Sequence, residues 1–154
     1  METYNKHEES VDMEMRKLEE SLGSNDFVIT PSEVDIILSS TLRRSEYSLF
    51  KRLVKYLPYN SGVLMRRDYP DEYATLNYLI KDLKDNDGNR LYTKQALMNL
   101  MTELRKRDII ASYKTTDSSL CYLINPWVAY RGNKSIDESV FRTFKDSRWR
   151  SIPR

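Results

Sequence analysis

The segment from Tyr92 to Pro126 contains a helical pattern followed directly by two short β-rich segments. From Thr93 onward, apolar residues recur at the spacing of one helix face: Ala96, Leu97, Leu100, Met101 and Leu104. Thr93 has the side chain of a helix N-cap. The segments IIASYK and LCYLI follow, and the polar run TTDSS between them predicts a hairpin turn. The sequence therefore predicts a helix followed by a β-hairpin.

Two further helices are predicted before this segment. The first, within TLRRSEYSLFKRLVKYLPYN, has an apolar face made of Leu49, Phe50, Leu53, Val54 and Leu57. The second is expected to begin near Asp71 and to turn inward Leu76, Leu79, Ile80 and Leu83. Between them, Gly62–Met65 predicts a short strand, and DNDGN predicts a turn at Gly88 after the second helix.

The order helix, strand, helix, turn, helix, hairpin is typical of the winged helix-turn-helix. We therefore expect a mainly α-helical fold with a small β-hairpin, although a plain helical bundle is an alternative. The winged helix is predicted over residues 27–133, beginning with an extended segment at Phe27–Thr30 and a short helix near Pro31. An acidic arm with a short amphipathic helix precedes it over residues 1–26. A basic C-terminal helix and tail follow over residues 134–154, with the helix near Ile136–Lys145.

The charged residues are unevenly distributed along the chain. Residues 1–35 contain ten acidic and three basic side chains, whereas residues 36–154 contain thirteen acidic and twenty-two basic ones. A basic body favours polyanionic partners. The alternative is that the surplus lysines and arginines only solvate the surface.

The predicted helix from Thr93 to Arg107 presents a graded polar face opposite its apolar stripe. Glutamine and asparagine can bond adenine edges, threonine or methionine can meet a thymine methyl group, and arginine or lysine can bind guanine or phosphate. We expect this helix to read the major groove, and the alternative is an ordinary solvent-facing surface. The DNA-binding residues predicted on it are Thr93, Lys94, Gln95, Met98, Asn99, Thr102, Arg105, Lys106 and Arg107.

Other basic residues are candidates for phosphate contacts. They are Arg43 and Arg44, Arg66 and Arg67, Lys114 in the hairpin, and Arg148 and Arg150 around Trp149. Arginine pairs are also common on solvated surfaces, so each pair alone is a weak signal. Asp117, at the hairpin tip, opposes phosphate binding.

The acidic arm contains a narrow apolar stripe with spacings of four, three and four residues: Val11, Met15, Leu18 and Leu22. Two heptads are too short to form a stable helix alone, so the stripe needs a partner. We expect it to form a homodimer interface. The alternative is packing against its own domain.

Catalysis and cofactor binding are not expected. The only histidine, His7, lies in the acidic arm, and the chain has no Cys/His cluster at metal-ligand spacing and no glycine-rich phosphate loop. DNDGN lacks the final glutamate of a calcium loop. The single cysteine, Cys121, fits a reducing cytoplasm and a core position. No apolar stretch is long enough to span a membrane.

Three stretches resemble the winged-helix replication proteins of small plasmids and phages, the RepL-like group. They are FVITPSEVDIILSSTLRRSEYSLFKRLVKYLPYN, LYTKQALMNLMTELRKRDII and YLINPWVAYRGN, and they span roughly residues 27–133. The likeness extends loosely to MarR-like regulators. The connector KDLKDNDGNRLYTKQ is longer than the tight turn usual between the second and third helices. The resemblance implies sequence-specific binding of double-stranded DNA in replication initiation or transcription regulation.

Two other functions stay open on the sequence. The chain could be a winged-helix adaptor that binds a protein partner, because an acidic arm with an apolar stripe suits such a partner. It could also bind single strands by stacking bases on its eleven tyrosines. Most tyrosines in a small domain lie at the edge of the core, so single-strand binding is the weaker alternative.

Overall fold

The computed structural model describes residues 12–19, 25–132 and 136–152. The described part is mainly helical and contains two small antiparallel sheets, β1–β4 and β2–β3. In chain order its elements are α1 (residues 12–19), β1 (Asn25–Ile29), α2 (Ser32–Thr41), α3 (Arg44–Leu53) with a 3-10 turn at Val54–Tyr56, α4 (Leu76–Asp82), α5 (Lys94–Lys106), β2 (Ile110–Lys114), β3 (Leu120–Ile124), β4 (Tyr130–Gly132), α6 (Glu138–Thr143) and a final 3-10 turn at Arg148–Ser151.

Helices α3 and α5 pack directly against each other. The apolar faces predicted for these helices meet in one buried cluster, to which α4 also contributes. Leu49, Phe50 and Leu53 of α3 are fully buried, as are Leu97 and Leu104 of α5. The periodic apolar spacing therefore identified both helices correctly.

Helix α4 is shorter than predicted. It begins at Leu76 rather than near Asp71, and the hydroxyl of Thr75 caps it by accepting a hydrogen bond of 3.3 Å from the backbone N–H of Tyr78. The backbone N–H of Ala74 donates to the carbonyl of Leu64. The segment before Thr75 is therefore extended and lies beside the segment that contains Leu64. The predicted start was wrong because a tertiary backbone contact overrides the helical pattern there.

The predicted strand at Gly62–Met65 is reduced to isolated bridges. Val63 pairs with Leu123 of β3, and the backbone N–H of Leu64 donates to the carbonyl of Tyr122 over 3.0 Å. The segment thus lies along the outer side of the hairpin. Gly62 permits the close approach of this segment to β3 and to Val140, because a Cβ atom there would lie 3.1 Å from the carbonyl oxygen of Ile124 and 2.5 Å from the side chain of Val140.

The predicted hairpin is confirmed. Strands β2 and β3 pair in unbroken antiparallel register, from Ile110 opposite Ile124 to Lys114 opposite Leu120. Asp108 adopts a positive φ of 62° between α5 and β2, which turns the chain directly from helix to strand. Cys121 is a buried free cysteine, as the sequence indicated.

The predicted C-terminal helix is confirmed as α6, although it is shorter than Ile136–Lys145. The carboxylate of Asp137 caps it by accepting from the backbone N–H groups of Ser139 and Val140. Phe141 of α6 and Trp149 beyond it belong to the same buried cluster as α3 and α5. The segment after residue 135 therefore packs on the main core.

Helix α1 also packs on the main core. Leu18 is fully buried and Met15 contacts the same cluster, whereas Val11 and Leu22 lie outside the described residues. Glu14 forms an ion pair of 3.0 Å with Arg150, and Glu19 accepts a hydrogen bond from the backbone of Ile136. The described part of the stripe, Met15 and Leu18, therefore packs on its own domain, which is the alternative to the predicted homodimer interface.

Among the described helices, none combines the length and the apolar character that crossing a membrane requires.

Candidate nucleic-acid interface

Helix α5 is held by a cap at its start and by its apolar face. The hydroxyl of Thr93 accepts a hydrogen bond of 3.1 Å from the backbone N–H of Ala96, as predicted for an N-cap. Leu97, Met101 and Leu104 are buried against the other helices. Ala96 is exposed and does not belong to the inward face, contrary to the prediction, because it lies in the first turn beyond the edge of the core.

The opposite face of α5 is exposed along most of its length. Lys94, Gln95, Met98 and Asn99 are all exposed. The side-chain amide of Gln95 donates to the side-chain carbonyl of Asn99 over 2.9 Å, one helical turn away. This bond holds two amide groups side by side on the surface, in an arrangement suited to bonding the edges of bases.

The basic residues at the end of α5 have different environments. Arg105 is exposed and donates to Ser112 of β2 over 2.9 Å, which links the helix to the hairpin, and it also contacts Thr102. Lys106 is exposed and forms a surface ion pair with Glu103. These basic side chains remain at the surface, where surface ion pairs are weak enough to exchange for phosphate.

Arg107 differs from its neighbours because it is half-buried. Its guanidinium lies 3.7 Å from the carboxylate of Glu46, which is only 1% exposed. We predicted Arg107 as a DNA contact, whereas the structure gives it a partner inside the fold. The ion pair also brings the first turn of α3 beside the last turn of α5, so the exposed Arg43 and Arg44 lie at the same end as Lys106.

Arg66 and Arg67 do not form a matched pair. Arg66 forms ion pairs with Asp68 and Glu72, at 2.7 and 3.1 Å, and stacks over the ring of Tyr78. Its hydrogen bond to Asp68 lowers the pKa of that carboxyl to about 2. Arg67 is exposed and has no ion pair among the described residues. Arg66 therefore stabilises the loop that contains Asp68 and Glu72. Of the two arginines, only Arg67 remains available to bind phosphate.

The hairpin tip is closed by its own polar side chains. The hydroxyl of Thr115 donates to the carboxylate of Asp117, which also accepts from the backbone N–H of Ser119. The hydrogen bond from Thr115 is the main reason that the pKa of Asp117 lies below its ordinary value. Lys114 is exposed at the end of β2, next to this charged tip. The hairpin thus carries one cation and one anion close together.

A basic cleft of about 360 Å³, which was not predicted from the sequence, lies between the end of α3 and β4. Its lining includes Lys55, Arg67 and Arg131, and Arg131 stacks over the exposed ring of Tyr59 at 4.2 Å. The arginine pair at 66–67 was the only signal that the sequence offered. Arg131 comes from a distant strand, so only the fold brings it to this cleft.

No group of three or more histidine, cysteine, aspartate or glutamate side chains in the described ranges could hold a metal ion. Comparison with family models, with curated proteins and with solved structures finds no match to this chain.

Proposed function

We propose that the chain is a winged helix-turn-helix protein that binds double-stranded DNA by sequence. In this proposal α3, α4 and α5 are the three helices, the segment at Gly62–Met65 is the first strand, and β2–β3 is the wing. The element order supports it, since an outer segment pairs with β3 and α5 runs directly into the hairpin. The long connector before α5 is a departure from the usual tight turn.

The observation that carries the proposal is the exposed amide pair of Gln95 and Asn99, followed by a basic helix end. Amides placed early on a recognition helix can bond base edges, while charge at the far end binds the backbone. Gln95, Met98 and Asn99 are assigned to bases. Phosphate contacts are assigned to Arg43, Arg44, Lys94, Lys106 and Lys114. Arg66 and Arg107 are assigned to ion pairs that stabilise the fold.

The resemblance to RepL-like proteins supports a role on a plasmid or phage, in replication initiation or transcription regulation. In this proposal the protein is cytoplasmic and non-enzymatic, and it needs no cofactor.

Selection of bound sites from random duplex DNA tests the proposal most directly. We expect enrichment of one sequence, and the enriched duplex should bind more tightly than either of its single strands. Binding should weaken steeply with salt, since five phosphate contacts give a slope of about −4.5 in a double-logarithmic plot of the binding constant against salt concentration. Failure to enrich any sequence, or preference for the single strands, would contradict the proposal.

The protein-adaptor alternative is supported by a different observation. Ile36 of α2 is 66% exposed, which is a high value for a large aliphatic side chain in a folded domain. An adaptor surface there would bind its partner through apolar contact and would be insensitive to salt. The substitution Ile36→Asp would then abolish binding of the protein partner and leave DNA binding unchanged.

A further inference from the structure

A second cavity lies at the end of α5, away from the amide pair. Its volume is about 340 Å³, and it is lined by Ile37, Thr41, Arg107, Arg148, Trp149 and Ile152. Three of these side chains are apolar and two carry guanidinium groups. At roughly 30 Å³ for each small group, as for liquid water, the cavity holds about ten non-hydrogen atoms. This is the size of a small organic molecule.

The arginine side of the cavity is fixed to the backbone of α5. The carbonyl of Arg107, at the C-terminal cap of α5, accepts hydrogen bonds of 2.8 Å from the indole N–H of Trp149 and 2.9 Å from the guanidinium of Arg148. The guanidinium of Arg148 also lies 5.6 Å from the centre of the Trp149 ring. These contacts hold an aromatic surface and a cation together in one wall.

The charges around the cavity leave one positive charge in excess. Glu46, which is buried, offsets the charge of Arg107, and no acidic side chain of the described residues lines the cavity. Arg148 has no ion pair within the described ranges. In addition, the buried Nε–H of Arg107 has no hydrogen-bond partner in the part of the chain that the structure describes. Buried donors of this kind are almost always satisfied, so an acceptor is expected beside it.

We propose that this cavity binds a small amphipathic monoanion, namely a carboxylate with a short aliphatic or aromatic body. The carboxylate pairs with Arg148 and accepts from Arg107, and charge-assisted bonds of this kind are stronger than neutral ones. The apolar body lies against Ile37, Trp149 and Ile152. The cavity lies away from the amide pair of α5, and the proposed ligand site does not depend on the proposed function.

Titration calorimetry of the full chain with octanoate tests the site, with octan-1-ol and octylamine as matched neutral and cationic probes. We expect saturable binding of octanoate, binding of octanol at least tenfold weaker, and no binding of octylamine. Arg148→Gln should weaken octanoate binding at least tenfold, because the unpaired cation is lost. Arg90→Gln removes the same charge at an exposed position outside the cavity and should leave binding unchanged.

A second variant keeps the test decisive if Arg148→Gln disturbs the fold. Thr41 lines the cavity but is exposed at the end of α2, so Thr41→Trp fills the space while both guanidinium groups remain. It should abolish octanoate binding. The proposal is overturned if octanoate does not bind saturably, if octanol binds equally well, or if octanoate binds Thr41→Trp as tightly as the parent.

Discussion

The carboxylate of Glu46 in α3 lies 3.7 Å from the guanidinium of Arg107 at the end of α5, and Glu46 is almost completely buried. The same carboxylate accepts a hydrogen bond of 2.8 Å from the backbone N–H of Arg43. One side chain therefore caps α3 and also joins it to α5. This contact sets the position of the basic helix end relative to Arg43 and Arg44.

Removal of this carboxylate should destabilise the fold. We expect Glu46→Ala to lower the free energy of unfolding by about 1–3 kcal/mol, because the backbone N–H of Arg43 loses its acceptor and the half-buried guanidinium of Arg107 loses its ion-pair partner. Glu46→Gln should lose less, since its carbonyl can still accept from Arg43. Urea unfolding measures both. In a double-mutant cycle with Arg107→Met, strictly additive losses would show that the two side chains are not coupled.

Substitution on the outer face of α5 should separate base reading from phosphate binding. If Gln95 and Asn99 contact bases, replacement of each by alanine should reduce discrimination between the selected site and other duplexes by about 1–3 kcal/mol. Lys106→Ala should instead weaken binding to all duplexes by the same factor. Fluorescence anisotropy with selected and scrambled duplexes measures both effects.

The matched control for these amides is Asn86→Ala, which removes an exposed amide in the turn before α5. It should bind every duplex as the parent does. If the Gln95→Ala/Asn99→Ala double variant also behaves as the parent, α5 is not the recognition helix.

The charge at the hairpin tip should oppose DNA binding. The pKa of Asp117 is lowered by the hydrogen bond from Thr115, so its carboxylate is ionised at neutral pH. If the hairpin contacts the backbone, Asp117→Asn should strengthen duplex binding at neutral pH, and Lys114→Gln should weaken it. Both effects should diminish as salt is added. Unchanged affinity in both variants would place the hairpin away from the DNA.

The same carboxylate predicts a pH effect on the tip. A depressed pKa in the folded state means that its hydrogen bonds stabilise the closed tip above about pH 4 and are lost as the pH falls through the folded pKa. In an NMR titration, the carboxyl carbon of Asp117 should have a midpoint below that of an ordinary aspartate. Thr115→Val should raise this midpoint.

Helix α1 should stabilise a monomer. Because Leu18 is fully buried, Leu18→Ala should lower the free energy of unfolding by about 2–5 kcal/mol, whereas Met13→Ala at an exposed site should change it by less than about 0.5 kcal/mol. Sedimentation should show monomers for the full chain and for a chain shortened to begin at Asp26. A dimer of the full chain that dissociates on shortening would instead support the dimer interface.

The sequence by itself determined the elements whose signals are local. The apolar spacing of α3 and α5 follows from the helical repeat, and the cap at Thr93 and the paired β-rich segments are equally short-range. The outward position of Gln95 and Asn99 follows from the same repeat. It was therefore predictable before any tertiary contact was known.

Only the tertiary structure decided which charged side chains remain at the surface. Arg66 and Arg67 are adjacent in the sequence, yet the first is held by Asp68 and Glu72 while the second is exposed. Arg107 completes a basic run but faces a carboxylate that lies far away in the sequence. The sequence shows which charged side chains the chain contains. Whether a charged side chain can bind a ligand depends on the ion-pair partners that folding brings close to it. For the same reason, Leu18 could be assigned to the core only when the surface that covers it was seen.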